Sequence, residues 1–213
     1  MMHNTKRDNL VEKLRQEGRI NIDEVKKAFL DVPRENFVPK KMKDYAYVDA
    51  PLEIGNGQTI SAPHMVAIMC ESLDIKKGQK ILEIGTGLGY HAAIVSKLVG
   101  TRGHVYSVER FSSLAKKAKE NLKNTEIRNV TIIIGDGSEG LQKYAPYKRI
   151  YVTCAAPKIP SPLIDQLNDP GKLMVPVGRI MCILKLLEKK GGVLIKKDLG
   201  GCAFVPLVGK YGF

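Results

Sequence analysis

The stretch Lys80–Tyr90, KILEIGTGLGY, predicts a buried strand, a glycine turn and the start of a helix. Its first residues form the short apolar run typical of a strand covered on both faces. Gly85, Gly87 and Gly89 then stand at alternate positions, where glycine can take a positive φ and let a ligand approach the backbone. The third glycine comes one residue earlier than in the G-x-G-x-x-G turn of dinucleotide-binding proteins. A purely structural connection between a strand and a helix would contain similar glycines.

An acidic residue beside this turn favours one class of ligand. Glu83 lies two residues before Gly85. A carboxylate in this place suits a ligand that carries an ammonium group and repels a pyrophosphate, because like charges repel. The turn therefore favours S-adenosylmethionine over NAD.

Two further acids follow predicted strands. Glu109 ends the segment GHVYSVE about twenty residues after Gly89, the spacing at which a βαβ unit brings an acid to a ribose. It would then accept hydrogen bonds from both ribose hydroxyls, and a surface pair with Arg110 is the alternative. Asp136, between two glycines after the apolar run Val130–Ile134, would accept from the exocyclic amine of adenine or mark an ordinary turn.

Composition is that of a globular intracellular protein. The chain has 213 residues, of which 44% are hydrophobic and 26% charged, enough for one domain with a proper core. No apolar run reaches the length of a membrane span and no signal-peptide core is present, so we expect a cytoplasmic protein without membrane contact. The four cysteines lack metal-ligand spacing, which predicts reduced thiols and no metal.

The net charge of +12 raises the question of nucleic-acid binding. The basic residues, however, come in short clusters spread along the chain. No arginine-rich arm is present, and no aromatic residues are interleaved as a stacking platform requires. We therefore expect most of these clusters to be solvated faces and do not expect a nucleic-acid partner.

The order of predicted elements indicates an α/β fold, a Rossmann-like, doubly wound and mostly parallel sheet of the S-adenosylmethionine-dependent methyltransferase type. Two amphipathic helices and a loop-like stretch, Tyr45–Ile60, precede it, and antiparallel strands follow it. The predicted closing strands are Met181–Leu187, Val193–Leu199 and Ala203–Leu207. We expect a single domain, 1–213, with three parts: 1–60, the N-terminal helices and a substrate-covering loop; 61–178, the cofactor-binding core; and 179–213, the C-terminal strands.

The residues after the fourth core strand narrow the choice of methyl acceptor. Enzymes that methylate amino groups of bases or of glutamine usually have an N/D-P-P-Y/F clamp there, whereas this chain has TCAAP, 153–157. Cys154 lacks the setting of a nucleophile for carbon acceptors. A carboxylate acceptor remains, since it is already ionised at neutral pH and needs no strong base.

Hydroxyl groups on one loop would suit such an acceptor. Thr59 and Ser61 offer two hydroxyls, with His64 a turn later. The alternative for Ser61 is a cap on the helix that begins near Pro63. The alternative for His64 is a packed or surface histidine.

Seven segments together resemble the protein-L-isoaspartate O-methyltransferase family, over nearly the whole chain after the first helix. They are VPRENFVP (Val32–Pro39), AYVDAPLEIGNGQTISAPHMVA (Ala46–Ala67), LEIGTGLGYHAA (Leu82–Ala93), GDGSEGL (Gly135–Leu141), VTCAAPKIPSPLIDQL (Val152–Leu167), VPVG (Val175–Gly178) and FVPLVG (Phe204–Gly209). Within them, GQTISAPHM is far more specific than the glycine turn.

The resemblance implies methyl transfer from S-adenosylmethionine to the α-carboxyl of L-isoaspartyl, and less well D-aspartyl, residues in damaged proteins. The methyl ester then collapses to a succinimide. The implied enzyme is a cytosolic monomer that binds damaged proteins or peptides. Two departures from the family pattern are Lys148, where an aspartate is common, and Val208, where some relatives have threonine.

The resemblance also implies site residues in this chain. Ser61 is the implied catalytic residue, and we add Thr59. The implied substrate-binding residues are Gln58, Thr59, Ile60 and Ser61. The implied cofactor-binding residues are His64, Glu83, Gly85, Thr86, Gly87, Gly89, Glu109, Arg110, Asp136 and Gly137.

Two other functions are compatible with parts of this pattern. An RNA methyltransferase acting on adenine N1 of tRNA would explain the basic charge, but the chain lacks a dedicated RNA-binding domain and contains GQTISAPHM. A catalytically silent cofactor-binding scaffold would not need the full set of acids and hydroxyls.

Overall fold

A computed structural model describes the backbone of residues 2–213 and the side chains of residues 5–213, so Met1 of the predicted domain lies outside it. The helices are α1 (Met2–Gln16), α2 (Asp23–Asp31), α3 (Pro63–Leu73), α4 (Tyr90–Val99), α5 (Ser112–Asn124) and α6 (Ser161–Asp165). The strands are β1 (Leu52–Gly55), β2 (Gln58–Ile60), β3 (Lys80–Ile84), β4 (His104–Glu109), β5 (Val130–Ile134), β6 (Tyr147–Val152), β7 (Leu167–Gly178), β8 (Cys182–Lys190) and β9 (Val193–Cys202).

Seven of these strands form one sheet, in the order β5-β4-β3-β6-β7-β8-β9. The first five are parallel, and β8 and β9 are antiparallel additions at one edge. Hydrophobic cores cover both faces. The predicted doubly wound sheet with C-terminal antiparallel strands is confirmed.

The sheet reverses its winding beside β3. Ile84 pairs with Val108 of β4 on one side and with Val152 of β6 on the other. The carboxyl ends of β3 and β6 are therefore neighbours, as the strand order predicts. Ligands of open α/β sheets bind at this point.

Two predicted elements differ from the structure. The stretch Tyr45–Ile60, predicted as a loop, contains a short antiparallel hairpin formed by β1 and β2. Ala203–Leu207, predicted as a closing strand, is wrong: it forms only an isolated bridge between Pro206 and Ala155. The place beside β8 is already taken by β9, and Pro206 has no N–H to donate to a ladder.

The N-terminal helices hold the glycine turn from outside the sheet. Tyr90, the first residue of α4, packs against the rings of Phe29 and Phe37, with centroids 6.4 and 5.8 Å away. Leu88 in the turn accepts a 3.1 Å hydrogen bond from Asn121 of α5. The turn is thus fixed by helices on both sides.

Candidate active site

The glycine turn after β3 adopts the positive-φ conformation that its sequence predicts. Gly85, Gly87 and Gly89 have φ of 93°, 56° and 93°. A Cβ at Gly85 would collide with Oγ1 of Thr153, which donates a 2.6 Å hydrogen bond to the Gly85 carbonyl. This position therefore requires glycine both for its φ and for the close approach of β6.

A cavity opens above this turn at the carboxyl ends of the strands. Five segments form most of its walls: Gln58–Ser61, Ile84–Leu88, Val108–Phe111, Thr153–Cys154 and Val205–Val208. Val66, Tyr90, His91, Leu114 and Gly137 complete the lining. The structure brings these predicted site residues together on the walls: Gln58, Thr59, Ile60, Ser61, Gly85, Thr86, Gly87, Glu109, Arg110 and Gly137. Four predicted residues do not line it: His64, Glu83, Gly89 and Asp136.

Glu109 lies on the wall with its carboxylate held by the turn. It accepts hydrogen bonds from the backbone N–H of Gly87 at 2.8 Å and of Phe111 at 2.9 Å. A carboxylate has about four lone-pair positions, so two remain for hydroxyl donors of a ligand. The geometry fits the predicted ribose contact, whereas the alternative pairing with Arg110 is not among the ion pairs of the described residues.

Glu83 lies beneath the turn and is fully buried. Tyr151 donates a 2.9 Å hydrogen bond to one carboxylate oxygen, and the Ser107 hydroxyl donates to the other. Burial raises the pKa of Glu83 to about 8, against the opposite effect of these two bonds. Ser107 in turn contacts the hydroxyl of Thr86. Glu83 is therefore linked to the cavity wall through its partners and does not line it itself.

Asp136 fastens the C-terminal segment. Its carboxylate accepts from N–H and Oγ of Ser138 at 2.8 and 2.7 Å, and from the N–H of Lys210 at 2.8 Å. Burial raises the pKa of Asp136, but these hydrogen bonds outweigh it and hold the pKa below its usual range. Gly209 passes so close that a Cβ there would collide with the Asp136 carboxylate. The neighbouring Gly137, by contrast, lines the cavity.

His64 and Gly89 have local structural partners. Asp49 Oδ1 accepts from the backbone N–H of His64 and contacts its Nδ1, both at 2.9 Å. Gly89 is the N-cap of α4. These contacts tie the loop before α3 to the helix and start α4 beside the turn.

Ser61 does not cap the following helix. The N-cap of α3 is Ala62, and the side chain that accepts a hydrogen bond from the first turn of α3 is Asp49, at the N–H of His64. The alternative role of Ser61 as a helix cap is therefore wrong. Ser61 lines the cavity, as does the exposed Thr59 in the β1–β2 hairpin.

Several cavity residues were not predicted from the sequence. Thr153 and Cys154 follow β6, and Val205–Val208 close one side. His91 also lines the cavity; its ring stacks on Tyr151 with centroids 4.4 Å apart, and burial lowers its pKa to about 3. The apolar segment FVPLVG was a usable signal for Val205–Val208, but the burial of His91 depends on distant strands.

Among the side chains that the structure describes, 5–213, no group of three or more His, Cys, Asp or Glu residues is arranged to hold a metal ion. Within the same range, no helix has both the length and the apolar character needed to cross a bilayer.

Comparison with known proteins assigns the family. The model of the family described as protein-L-isoaspartate(D-aspartate) O-methyltransferase matches residues 5–212. The chain belongs to this methyltransferase family. Within the family, it is 58% identical to the protein-L-isoaspartate O-methyltransferase of Methanocella arvoryzae, over 85% of this chain and 97% of the relative. It is 52% identical to that of Methanococcus aeolicus, over 98% and 96%.

Solved structures of the family agree in fold. One protein-L-isoaspartate O-methyltransferase superposes with a TM-score of 0.89 at 33% identity, covering 97% of this chain and 67% of the other. A Plasmodium falciparum structure named for the same methyltransferase, in complex with S-adenosyl-L-homocysteine, gives 0.86 at 28% identity, covering 95% and 98%. The predicted fold type and the predicted cofactor, S-adenosylmethionine, are thereby confirmed.

Proposed function

We propose that this protein methylates the α-carboxyl of L-isoaspartyl, and less well D-aspartyl, residues in damaged polypeptides. The resulting ester collapses to a succinimide, which opens partly to normal aspartate. The observation that carries the proposal is the pair of hydroxyl residues, Thr59 and Ser61, on a cavity wall that faces the glycine turn and contains no strong base. A carboxylate acceptor needs none, because it is ionised at neutral pH.

The cavity suits the cofactor at three points. The turn presents backbone without a Cβ at Gly85 and Gly87, so a ligand can approach it closely. Glu109 keeps acceptor positions for the ribose, and Gly137, where a Cβ would collide with Ile84, lines the cavity with backbone alone. S-adenosylmethionine, when bound, supplies an electrophilic methyl group on a sulfonium.

The roles of the chain in the reaction are binding, orientation and exclusion of water. We assign to Ser61 and Thr59 the donation of hydrogen bonds to the substrate carboxylate, which fixes the direction of its attacking lone pair. Gln58 and Ile60 on the same segment would contact the polypeptide. The segment Val205–Val208 covers the opposite side of the cavity and limits access of water to the reacting atoms.

Neither of the two histidines near the cavity is placed to act as a general base. His64 is held by Asp49 outside the cavity. His91 is buried, and its lowered pKa makes it a weak base. An acceptor that must lose a proton, such as an amine, would lack a partner in this cavity.

The deciding experiment offers labelled S-adenosylmethionine to an isoaspartyl peptide, its normal aspartyl twin and bulk tRNA. We expect label on the isoaspartyl peptide alone, released as methanol in mild base. Label on tRNA and on neither peptide would support an RNA methyltransferase. Cofactor binding without any transfer would support a silent scaffold.

Replacing the hydroxyl tests the role of Ser61. Ser61→Ala should lower kcat for the isoaspartyl peptide by about 100-fold, the effect of removing one well-placed donor, while the dissociation constant of the cofactor stays nearly unchanged. The matched control is Ser72→Ala, which removes a hydroxyl from α3 at a position that does not line the cavity. A large loss of cofactor affinity in Ser61→Ala would mean that Ser61 is mainly structural.

We also propose that the protein acts in the cytoplasm as a monomer. Light scattering on a size-exclusion column should give the chain mass of 23.6 kDa. A doubled mass would contradict the monomer.

A further inference from the structure

We propose that Arg34 is a positioning residue whose buried charge, behind the Ser61 wall, selects a carboxylate over a neutral group in the acceptor position. The inference rests on the proposed function, because it concerns the substrate of the same site. Arg34 does not line the cavity. It holds the backbone that carries Ser61, and its charge acts on the acceptor position from behind that backbone.

The contacts of Arg34 place its guanidinium against the loop that carries Ser61. Its side chain is fully buried. Nη1 donates a 2.7 Å hydrogen bond to the carbonyl of Ser61, and Nη2 donates at 3.2 Å to the carbonyl of Ala50. The group lies over the Tyr90 ring, 5.2 Å from its centroid, and Tyr90 and Ser61 both line the cavity.

The charge of Arg34 has no carboxylate partner at ion-pair distance among the described residues. Asp49 contributes at longer range, and its Oδ1 is engaged by His64. Burial lowers the pKa of Arg34 to about 10, partly offset by Tyr90, Asp49 and Tyr47, so the group stays protonated at neutral pH.

The charge of Arg34 affects a ligand in the cavity because the protein interior screens electrostatic interactions weakly. Two unit charges a few Å apart interact several times more strongly in a protein than in bulk water. The guanidinium donates a hydrogen bond to the carbonyl of Ser61, a residue that lines the cavity. A carboxylate bound at Ser61 is therefore stabilised, whereas a neutral group of the same shape is not.

The same charge distinguishes substrate from product. The isoaspartyl carboxylate carries a negative charge, and the methyl ester does not. The attraction is lost when the methyl group is transferred, which favours release of the ester. Arg34 therefore strengthens binding of the isoaspartyl carboxylate and does not strengthen binding of its methyl ester.

The chain contains a matched control at the other end of the sheet. Arg149 is also a buried arginine that binds backbone carbonyls: Nε donates to Leu73, Nη1 to Lys148 at 2.9 Å and Nη2 to Asp74 at 3.0 Å. It lies on β6 near the amino ends of the strands and does not line the cavity. Loss of its charge removes similar hydrogen bonds without changing the field at Ser61.

The experiment compares Arg34→Met, Arg34→Lys and Arg149→Met. An isoaspartyl peptide and its analogue with a neutral α-carboxamide are each titrated into protein saturated with S-adenosyl-L-homocysteine. Wild type should bind the carboxylate at least about tenfold more tightly than the carboxamide. Arg34→Met should lose this preference, and Arg34→Lys and Arg149→Met should keep it. Arg34→Gln, which keeps an amide donor for the Ser61 carbonyl, replaces Arg34→Met if the latter does not fold.

An unchanged preference in Arg34→Met would overturn the proposal, and so would an equal loss in Arg34→Lys, which would indicate a merely structural role. A parallel loss in Arg149→Met would overturn it as well. If wild type methylates no isoaspartyl peptide, the proposed function itself fails, and this is seen before any variant is made.

Discussion

Glu83 and Glu109 lie at or next to the carboxyl ends of neighbouring parallel strands, beside the same glycine turn, but they have different surroundings. Glu83 is enclosed by Ser107 and Tyr151 beneath the turn, while Glu109 receives backbone N–H groups on the cavity wall. The difference comes from the strands beside each acid. Hydroxyl groups of β4 and β6 satisfy the first, whereas the turn itself holds the second. The role of an acidic residue in such a motif therefore depends on its hydrogen-bond partners and not on its position in the motif.

The largest effect predicted from this comparison is at Glu109. Glu109→Ala should weaken binding of S-adenosyl-L-homocysteine by about 1.5–3 kcal/mol, since hydrogen bonds to a charged group are lost. Calorimetric titration measures this. Glu120→Ala, an exposed acid on α5, should leave the dissociation constant unchanged. Unchanged affinity in Glu109→Ala would refute the ribose contact.

A second effect should appear at Glu83, in stability and not in affinity. Its raised pKa of about 8 means that the folded protein holds a proton that the unfolded chain releases above about 4.5. The free energy of unfolding should therefore fall as pH rises from about 5 to about 8. Glu83→Gln should remove this part of the pH dependence and change cofactor affinity by less than about threefold.

Urea unfolding at both pH values, with and without the substitution, measures the effect. The same pH slope in wild type and Glu83→Gln would show that Glu83 is not the group responsible. A large loss of cofactor affinity would show instead that Glu83 contacts the ligand.

The smallest effect should follow from removing the hydrogen bonds that the Asp136 carboxylate accepts. Asp136→Ala removes the acceptor for the N–H groups of Ser138 and Lys210, so the segment Val205–Val208 should open more often. We expect faster hydrogen exchange in this segment and cofactor binding weakened by about three- to tenfold. Asp169→Ala, which frees the N–H groups of Gly191 and Gly192 in a turn away from the cavity, is the control. Unchanged exchange would contradict the fastening role.

The core strands could be predicted because their signals are local. Lys80–Ile84 and Val130–Ile134 have the predicted bounds, since an apolar run ended by glycine leaves little choice. The hairpin in Tyr45–Ile60 was missed because its strands have only four and three residues, and the turn residues between them dominate the pattern. The wrong strand at Ala203–Leu207 is extended chain whose partner is decided by the whole sheet.

The parts of the site that depend on backbone geometry could be predicted from the sequence. The glycine turn and the segment Gln58–Ser61 meet in one cavity, as the sequence predicts. The direction of the Glu83 and Asp136 side chains was not predictable, because their partners come from distant parts of the chain. The segment VPRENFVP, which contains Arg34, supports the family resemblance but does not predict the burial of this side chain, since an arginine is ordinarily exposed.

The position of Val205–Val208 on the cavity wall also has a consequence for folding. These residues follow every strand of the sheet in the chain and bind back to Ala155, with hydrogen bonds of 2.8 and 2.7 Å. The five parallel strands precede them in the chain and can pair first, but the cavity then still lacks one part of its wall. The binding site is therefore completed only when this segment, the last of the cavity-lining parts in chain order, docks on Ala155.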